Sequence, residues 1–377
     1  MRTIIFGTYD TSMHPRIATI AEGLAARGFD VAECNIPLGL TTADRVDMLA
    51  KPWKAGGLVV RLGQRWLGLA AKARRLGRPD AVVVGYLGHF DVRLARLLYR
   101  RGRVPLVLDH LISAAGTARD RRIGGSALKQ RLLTLIDAAA LSAADIVLVD
   151  TEEHLEIVPE KYRSKAIVVP VGAPTPWHAA ARELPADADS SEPMKVVFYG
   201  LYTPLQGTPV IGEALGRIAG APIEVTMIGG GQDEAETKRA AAANQSVRWL
   251  DWVPAAELPA LVAAHDVCLG IFGTGDKALR VVPNKVFQGA AAGCAVITSD
   301  TAPQRRVLGT VSQESGAVLV PPGDPAALAD ALLQLASDRE ALLKLRHAAR
   351  ELAAERFTPE QVVGPLTDRL LPPHAGA

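Results

Sequence analysis

The chain has 377 residues, 49% hydrophobic and 22% charged, a globular composition long enough for two domains with a core each. Net charge is only +2, with 26 Lys and Arg against 20 Asp and Glu in residues 1–190 and 16 against 20 in the rest. That positive excess suits an anionic partner in the first half and is too mild to imply nucleic acid, so no nucleic-acid partner is expected.

Cys34, Cys268 and Cys294 form no CxxC pair, which argues against a disulfide framework and a structural zinc site and favours buried thiols in a reducing compartment. No run of eighteen uncharged apolar residues exists to span a bilayer. The opening apolar run is too short for a signal peptide, so a cytoplasmic location is expected.

Short apolar runs alternate with helical patterns. Strands are expected at 3–6, 30–34, 81–85, 106–109, 146–150 and 166–170, and again at 195–199, 224–228, 247–250, 267–270, 295–298 and 317–320. Several are continuous apolar runs, as in strands covered on both faces. The segments between them, such as 17–27 and 326–335, carry apolar residues at helical spacing. The pattern predicts an α/β protein of two Rossmann-like, doubly wound parallel-sheet domains. Residues 172–193 are Pro-rich and acidic without apolar periodicity. The expected division is therefore a first domain at 1–172, a linker at 173–193, a second domain at 194–357, and a C-terminal helix and tail at 358–377, possibly returning to the first domain.

In open parallel sheets ligands bind beyond the carboxyl ends of the strands, so the loops there are read in order. After the first strand, Gly7, Thr8, Asp10, His14, Pro15 and Arg16 lead into a helix. Gly7 permits a tight turn and the helix start offers free N–H groups; these residues line a ligand or, in the plain alternative, cap the helix. Residues 49–78 carry eight cations and no acid, interleaved with Trp53, Leu62, Trp66, Leu67 and Leu69. This reads either as a helix packed on the sheet with a solvated basic face, or as peripheral membrane contact through 51–78. A phosphorylated acceptor is a third reading. Asp109 and His110 leave a strand end, as do Asp150, Thr151 and Glu152, where helix capping is the plainer reading. Gly229-Gly230-Gly231 also follows a strand, but its spacing is not that of a dinucleotide fingerprint, which argues against NAD.

The run Leu269 to Thr298 says most. A strand ends in a Gly-rich loop carrying Lys277 and Arg280, and a helix begins at Pro283-Asn284-Lys285. Cations beside a helix N-terminus suit a diphosphate; the alternative is a solvated cationic face. No carboxylate pair has clear metal spacing.

This run resembles the donor-binding signature of retaining glycosyltransferases of the GT-B fold, family-four type, in the subgroup with a Pro-Asn-Lys helix start. Phe198 to Gly207 is similar to that family's glycine loop and Val320 to Leu328 to its later turn and helix. The resemblance implies two domains facing across a cleft. It implies transfer of a sugar from a nucleotide-sugar donor, such as a UDP- or GDP-sugar, to a small-molecule, glycan or lipid-linked acceptor, with retention and without metal or cofactor. It places Gly200, Tyr202, Thr203, Gln206, Gly229, Arg280, Pro283, Asn284, Lys285 and Gln288 at the donor, Gly7, Thr8, Asp10, His14 and Arg16 on the acceptor side, and Asp109 or His110 at the transferred sugar. Two departures stand out. Arg280 and Gln288 occupy the places of the family's glutamates, and Tyr202 and Gln206 lie where Arg and Lys are common. A sugar-nucleotide binder without transfer, and a hydrolase or epimerase of the same fold, are the competing readings.

Overall fold

The computed structural model describes residues 1–10, 15–39, 55–85, 88–102, 104–111, 113–116, 126–184, 191–309 and 316–371. The chain divides into two units, Met1–Pro170 with Val362–Ala377, and Val171–Gln361. All twelve predicted strands form, within two residues of their expected ends.

The first unit contains β1 (Arg2–Gly7), β2 (Asp30–Asn35), β3 (Ala81–Val84), β4 (Leu106–Asp109), β5 (Ile146–Val149) and β6 (Ala166–Val168). They form one parallel sheet in the order β2-β1-β3-β4-β5-β6. Alternate residues of β1 serve opposite cores. Ile5 packs with Ile17, Ile20 and Leu24 of the helix Arg16–Ala26. Ile4 and Phe6 pack with Leu69, Val92 and Leu141 from the helices Ala55–Leu76, Asp91–Leu98 and Ala127–Ala143. This is the layering that right-handed crossovers impose on a sheet that winds both ways from its first strand. The direction reverses between β1 and β3, so Gly7 and the exit of β3 flank the switch point, where such sheets bind ligands.

Two buried carboxylates hold the loops at this edge. Asp91 accepts from Thr8 N and Thr8 Oγ1, both at 2.8 Å, and from Trp66 Nε1 at 2.9 Å. Burial pushes its carboxyl up against the opposing hydrogen bonds from Trp66 and Thr8. Asp137 accepts from Ser113 Oγ (2.7 Å), Ala114 N (2.8 Å) and Ala115 N (3.0 Å). Burial alone would raise Asp137; His89 and these donors outweigh it and bring the carboxyl down to about 2.

The second unit contains β7 (Met194–Tyr199), β8 (Ile223–Ile228), β9 (Val247–Leu250), β10 (Val267–Leu269), β11 (Ala295–Ser299) and β12 (Ala317–Val320), all parallel, in the order β12-β11-β10-β7-β8-β9. Counted within the unit, this is the 3-2-1-4-5-6 order of dinucleotide-binding sheets, with its switch point between β7 and β10. The loops leaving β7, β8 and β10 touch backbone to backbone. A Cβ on Gly229, whose φ is +109°, would lie 2.2 Å from the Gly200 carbonyl oxygen; one on Gly207, φ +66°, would lie 2.5 Å from Gly273 N.

The boundaries differ from the expected ones. Residues 173–193 are not simply a linker: Ala173 and Trp177 are buried in a core of the second unit, and Trp177 stacks on Tyr199 with ring centroids 5.6 Å apart. Burying one indole outweighs the lack of periodicity around it. Residues 185–190 lie outside the described residues. The C-terminal segment forms two short helices, Pro359–Val362 and Gly364–Leu370, and buries Val362, Val363 and Leu366 in the core of the first unit around Ile5.

Asp137→Ala removes the acceptor of three donors and is expected to destabilise the first unit by about 2–3 kcal/mol at neutral pH, read by denaturant titration. A carboxyl lowered from 3.8 to about 2 contributes stability that is full above the unfolded value and disappears as pH falls through the folded one. Wild type and variant should therefore converge between about pH 4 and pH 2. Gly229→Ala combines left-handed strain with a backbone collision and should lower the stability of the second unit by about 3 kcal/mol; an unchanged unfolding midpoint would contradict the packing described.

Candidate functional site

The second-unit site is built from the exits of β7 and β10. The helix Asn284–Ala291 begins at Pro283, an extended N-cap with no side-chain cap, so the N–H groups of Asn284 and Lys285 have no intrahelical acceptor. Helical side chains lean toward the N-terminus, and Lys285 runs beneath the exit of β7. Its ammonium lies 2.6 Å from Gln206 Oε1 and 3.8 Å above the Phe198 ring centroid. A Cβ on Gly200 would sit 3.3 Å from Nζ, so glycine there keeps the space over the ammonium free of any side chain. Lys285 is 4% exposed. Burial lowers its pKa to about 7, with the nearby Cys268 acting the other way. A solvated Lys face is thereby excluded for this residue.

The expected donor residues take four different placements. Gly200, Thr203, Gln206, Gly229, Asn284 and Lys285 meet in the loops just described, with Thr203 O accepting from Gln206 N and Gly207 N to form the turn. Gln288 is buried with its Oε1 accepting from Tyr199 Oη at 3.0 Å, which leaves its amide nitrogen as the polar group to offer. Arg280 lies on the outer loop, 3.7 Å from Asp276 in a largely exposed ion pair. Tyr202 is placed differently from the expectation. Its side chain is fully buried in the core, edge-on to Phe198 at 5.8 Å, because an aromatic ring beside β7 gains more from burial than from solvent.

In the first unit the structure reassigns several candidates. Arg16 and Asp109 form a buried ion pair, Nε to Oδ1 2.9 Å, and Arg16 Nη2 also donates to Val169 O at 2.8 Å. With side-chain exposures of 2% and 0%, each is engaged by the other as an internal tie, a placement different from the open, ligand-facing one expected of a catalytic Asp109 and an acceptor-side Arg16. Burial raises the Asp109 carboxyl, and Arg16 opposes it; desolvated opposite charges pair with each other. Thr8 is committed to Asp91, Gly7 is wedged against Tyr9 and Asp91, and Asp10 is half-buried and partnered. His14 lies outside the described residues.

His110 remains. Its ring meets His89 edge-on at 5.5 Å, and burial, with His89, lowers its pKa to about 4, so it is neutral at physiological pH. His89 Nε2 lies 3.0 Å from Asp137 Oδ1, off the line of a well-formed hydrogen bond. His154 pairs with Asp150, and Thr151 Oγ1 accepts from His154 N at 3.1 Å, capping the helix Glu152–Ile157. Three histidines and two carboxylates thus gather at the exits of β3, β4 and β5. His89 and His154 each follow a strand end by five residues, a signal a systematic reading of strand exits would find; Asp137 sits inside a helix and carries none. Among the described residues no group of three or more His, Cys, Asp or Glu is arranged to hold a metal ion.

Residues 193–338 match the sequence profile of the family glycosyl transferases group 1. No curated protein matches the chain by sequence. Among solved structures it resembles sucrose-phosphate synthase from Thermosynechococcus elongatus (16% identity, 98% of each chain covered, TM-score 0.70). It also resembles Anabaena HepE in complex with UDP-glucose (14% identity, 98% of each chain, TM-score 0.64). A third likeness is to a glycosyltransferase from Rickettsia africae (12% identity, 98% of this chain and 97% of that one, TM-score 0.60). At these identities the likeness is one of fold. Residues 193–338 thus carry the sequence pattern of group 1 glycosyl transferases, in a chain of GT-B-like fold with two Rossmann-like units.

Proposed function

We propose that the protein transfers a sugar, of hexosyl type, from a nucleotide-sugar donor to a hydroxyl acceptor, with retention of configuration and without metal or cofactor. The observation that carries this reading is the Lys285 ammonium, buried at a helix N-terminus under a glycine strand exit, within a stretch that matches group 1 glycosyl transferases. The structural neighbour HepE binds UDP-glucose, which supports a nucleotide-sugar donor here.

The chemistry follows from charge. Breaking the bond from sugar to phosphate puts negative charge on the departing diphosphate, and the group that meets that charge accelerates the step. An ammonium together with the N–H groups of Asn284 and Lys285 can meet it. Gln206 holds the ammonium in the structure, so a diphosphate would take over that contact. Retention needs the acceptor hydroxyl to arrive on the face the diphosphate leaves, with the diphosphate oxygen accepting its proton. A second reading, a sugar-nucleotide binder without transfer, is favoured by Gln288, which stands in a family carboxylate position and gives its oxygen to Tyr199. Product formation from a donor and acceptor panel separates the two.

Lys285→Ala should reduce kcat/KM about 100-fold, with kcat falling as well as KM rising; an unchanged kcat/KM would remove Lys285 from the site. With a pKa near 7, Lys285 must take up a proton to meet an anion at higher pH. The Kd for UDP-glucose, measured by calorimetry, should be flat below about pH 6 and rise by up to tenfold per unit above about pH 7. Lys285→Arg, charged throughout, should flatten that rise; a slope unaltered in this variant would assign the pH dependence elsewhere.

A further inference from the structure

Packing on the sheet does not by itself account for the helix Ala55–Leu76. Leu69 and Ala73 face the sheet, and Trp66 is turned inward to Asp91. Val59, Val60 and Leu67 are nonetheless left 68%, 63% and 75% exposed. The same holds for its neighbours on that face of the sheet. Ala55–Leu76 packs beside Asp91–Leu98, which packs beside Ala127–Ala143. Leu97 is exposed on the second helix. Leu128, Leu132 and Leu135 form an exposed stripe at i, i+4 and i+7 on the third. These three helices hold half of the exposed large hydrophobic side chains among the described residues.

The charge on this face has one sign. Arg61, Arg65, Arg74, Arg75, Arg93 and Arg131 are exposed on the three helices. Their only acids are Asp91 and Asp137, both buried and engaged inward. None of the three helices therefore exposes a carboxylate. An apolar surface of this extent is unusual on a soluble protein that meets only water. A second copy of the same face would bring arginine against arginine with no acid between, which disfavours self-pairing.

We propose that the outer face of these three helices docks the protein on an anionic lipid bilayer. Leucines and valines would enter the headgroup boundary while the arginines meet lipid phosphates, as amphipathic basic helices do. The surface is wider than the segment singled out by sequence, since it includes Asp91–Leu98 and the leucine stripe of Ala127–Ala143. It lies on the first unit and is independent of the donor-site reading.

The test is co-sedimentation of the full chain, without sugar nucleotide, with vesicles of phosphatidylcholine alone or with one quarter phosphatidylglycerol. Binding to the anionic vesicles should exceed binding to neutral ones by about tenfold or more and should fall in 0.5 M salt. The double variants Val60→Asp/Leu67→Asp and Leu132→Asp/Leu135→Asp should each reduce it about tenfold or more, at unchanged melting temperature. Leu333→Asp, at an exposed position of the second unit, should leave it intact. No binding, equal binding to both vesicles, or binding undiminished in both double variants would overturn the proposal. Concentration-dependent self-association abolished by Leu132→Asp/Leu135→Asp, without vesicle binding, would assign the face to a second copy instead.

Discussion

A primary amine buried beneath the exit of β7 governs the second unit. Desolvating an ammonium is costly, and it survives only where polar and aromatic groups compensate. The Phe198 ring lies under Lys285 Nζ, the Gln206 carbonyl oxygen faces it, and Gly200 leaves the remaining side clear. All three come from β7 and the loop that leaves it, and that loop rests backbone on backbone against the exits of β8 and β10 because Gly207, Gly229 and Gly273 carry no Cβ. The compensation is incomplete, which is why the amine titrates near neutrality. A group held at that balance gains from an arriving anion, and this is the property a leaving-group site requires.

The first unit uses the same physics to a different end. Its buried charges are internal ties. Asp91 joins the Gly7 loop to two helices, Arg16 and Asp109 join the first helix to β4 and to Val169, and Asp137 holds residues 113–115. Each tie fixes a loop at the carboxyl edge of the sheet, where the acceptor side is expected. The polar residues visible at that edge in the sequence are largely tied to one another, and His110 sits edge-on to His89 with its pKa lowered by burial.

Residues 49–78 admitted three readings from sequence. Packing on the sheet accounts for Trp66, Leu69 and Ala73, and it leaves Val59, Val60 and Leu67 outside. At 100° per residue Val60 and Leu67 fall on the side of the helix opposite Trp66, Leu69 and Ala73, so its apolar residues divide between core and surface. The leucine stripe on Ala127–Ala143 escaped a reading based on charge runs, because its neighbours are mixed and its cations sparse.

The sequence by itself determined the strands, their parallel order of appearance and the Pro283 helix start, because these depend on local apolar runs and on proline and glycine chemistry that acts within a few residues. It also placed Lys285 in the first turn of that helix, since a lysine after a glycine loop and a Pro-Asn start is a local pattern. Tertiary structure decided which polar residues are free to act. Asp109 and Arg16 read as functional until each is seen to be the other's partner across 93 residues of chain, and Tyr202 reads as a loop residue until Phe198 is found against its ring. Asp91 and Asp137 gave no local sign, because a buried carboxylate is recognisable only by the donors the fold brings to it.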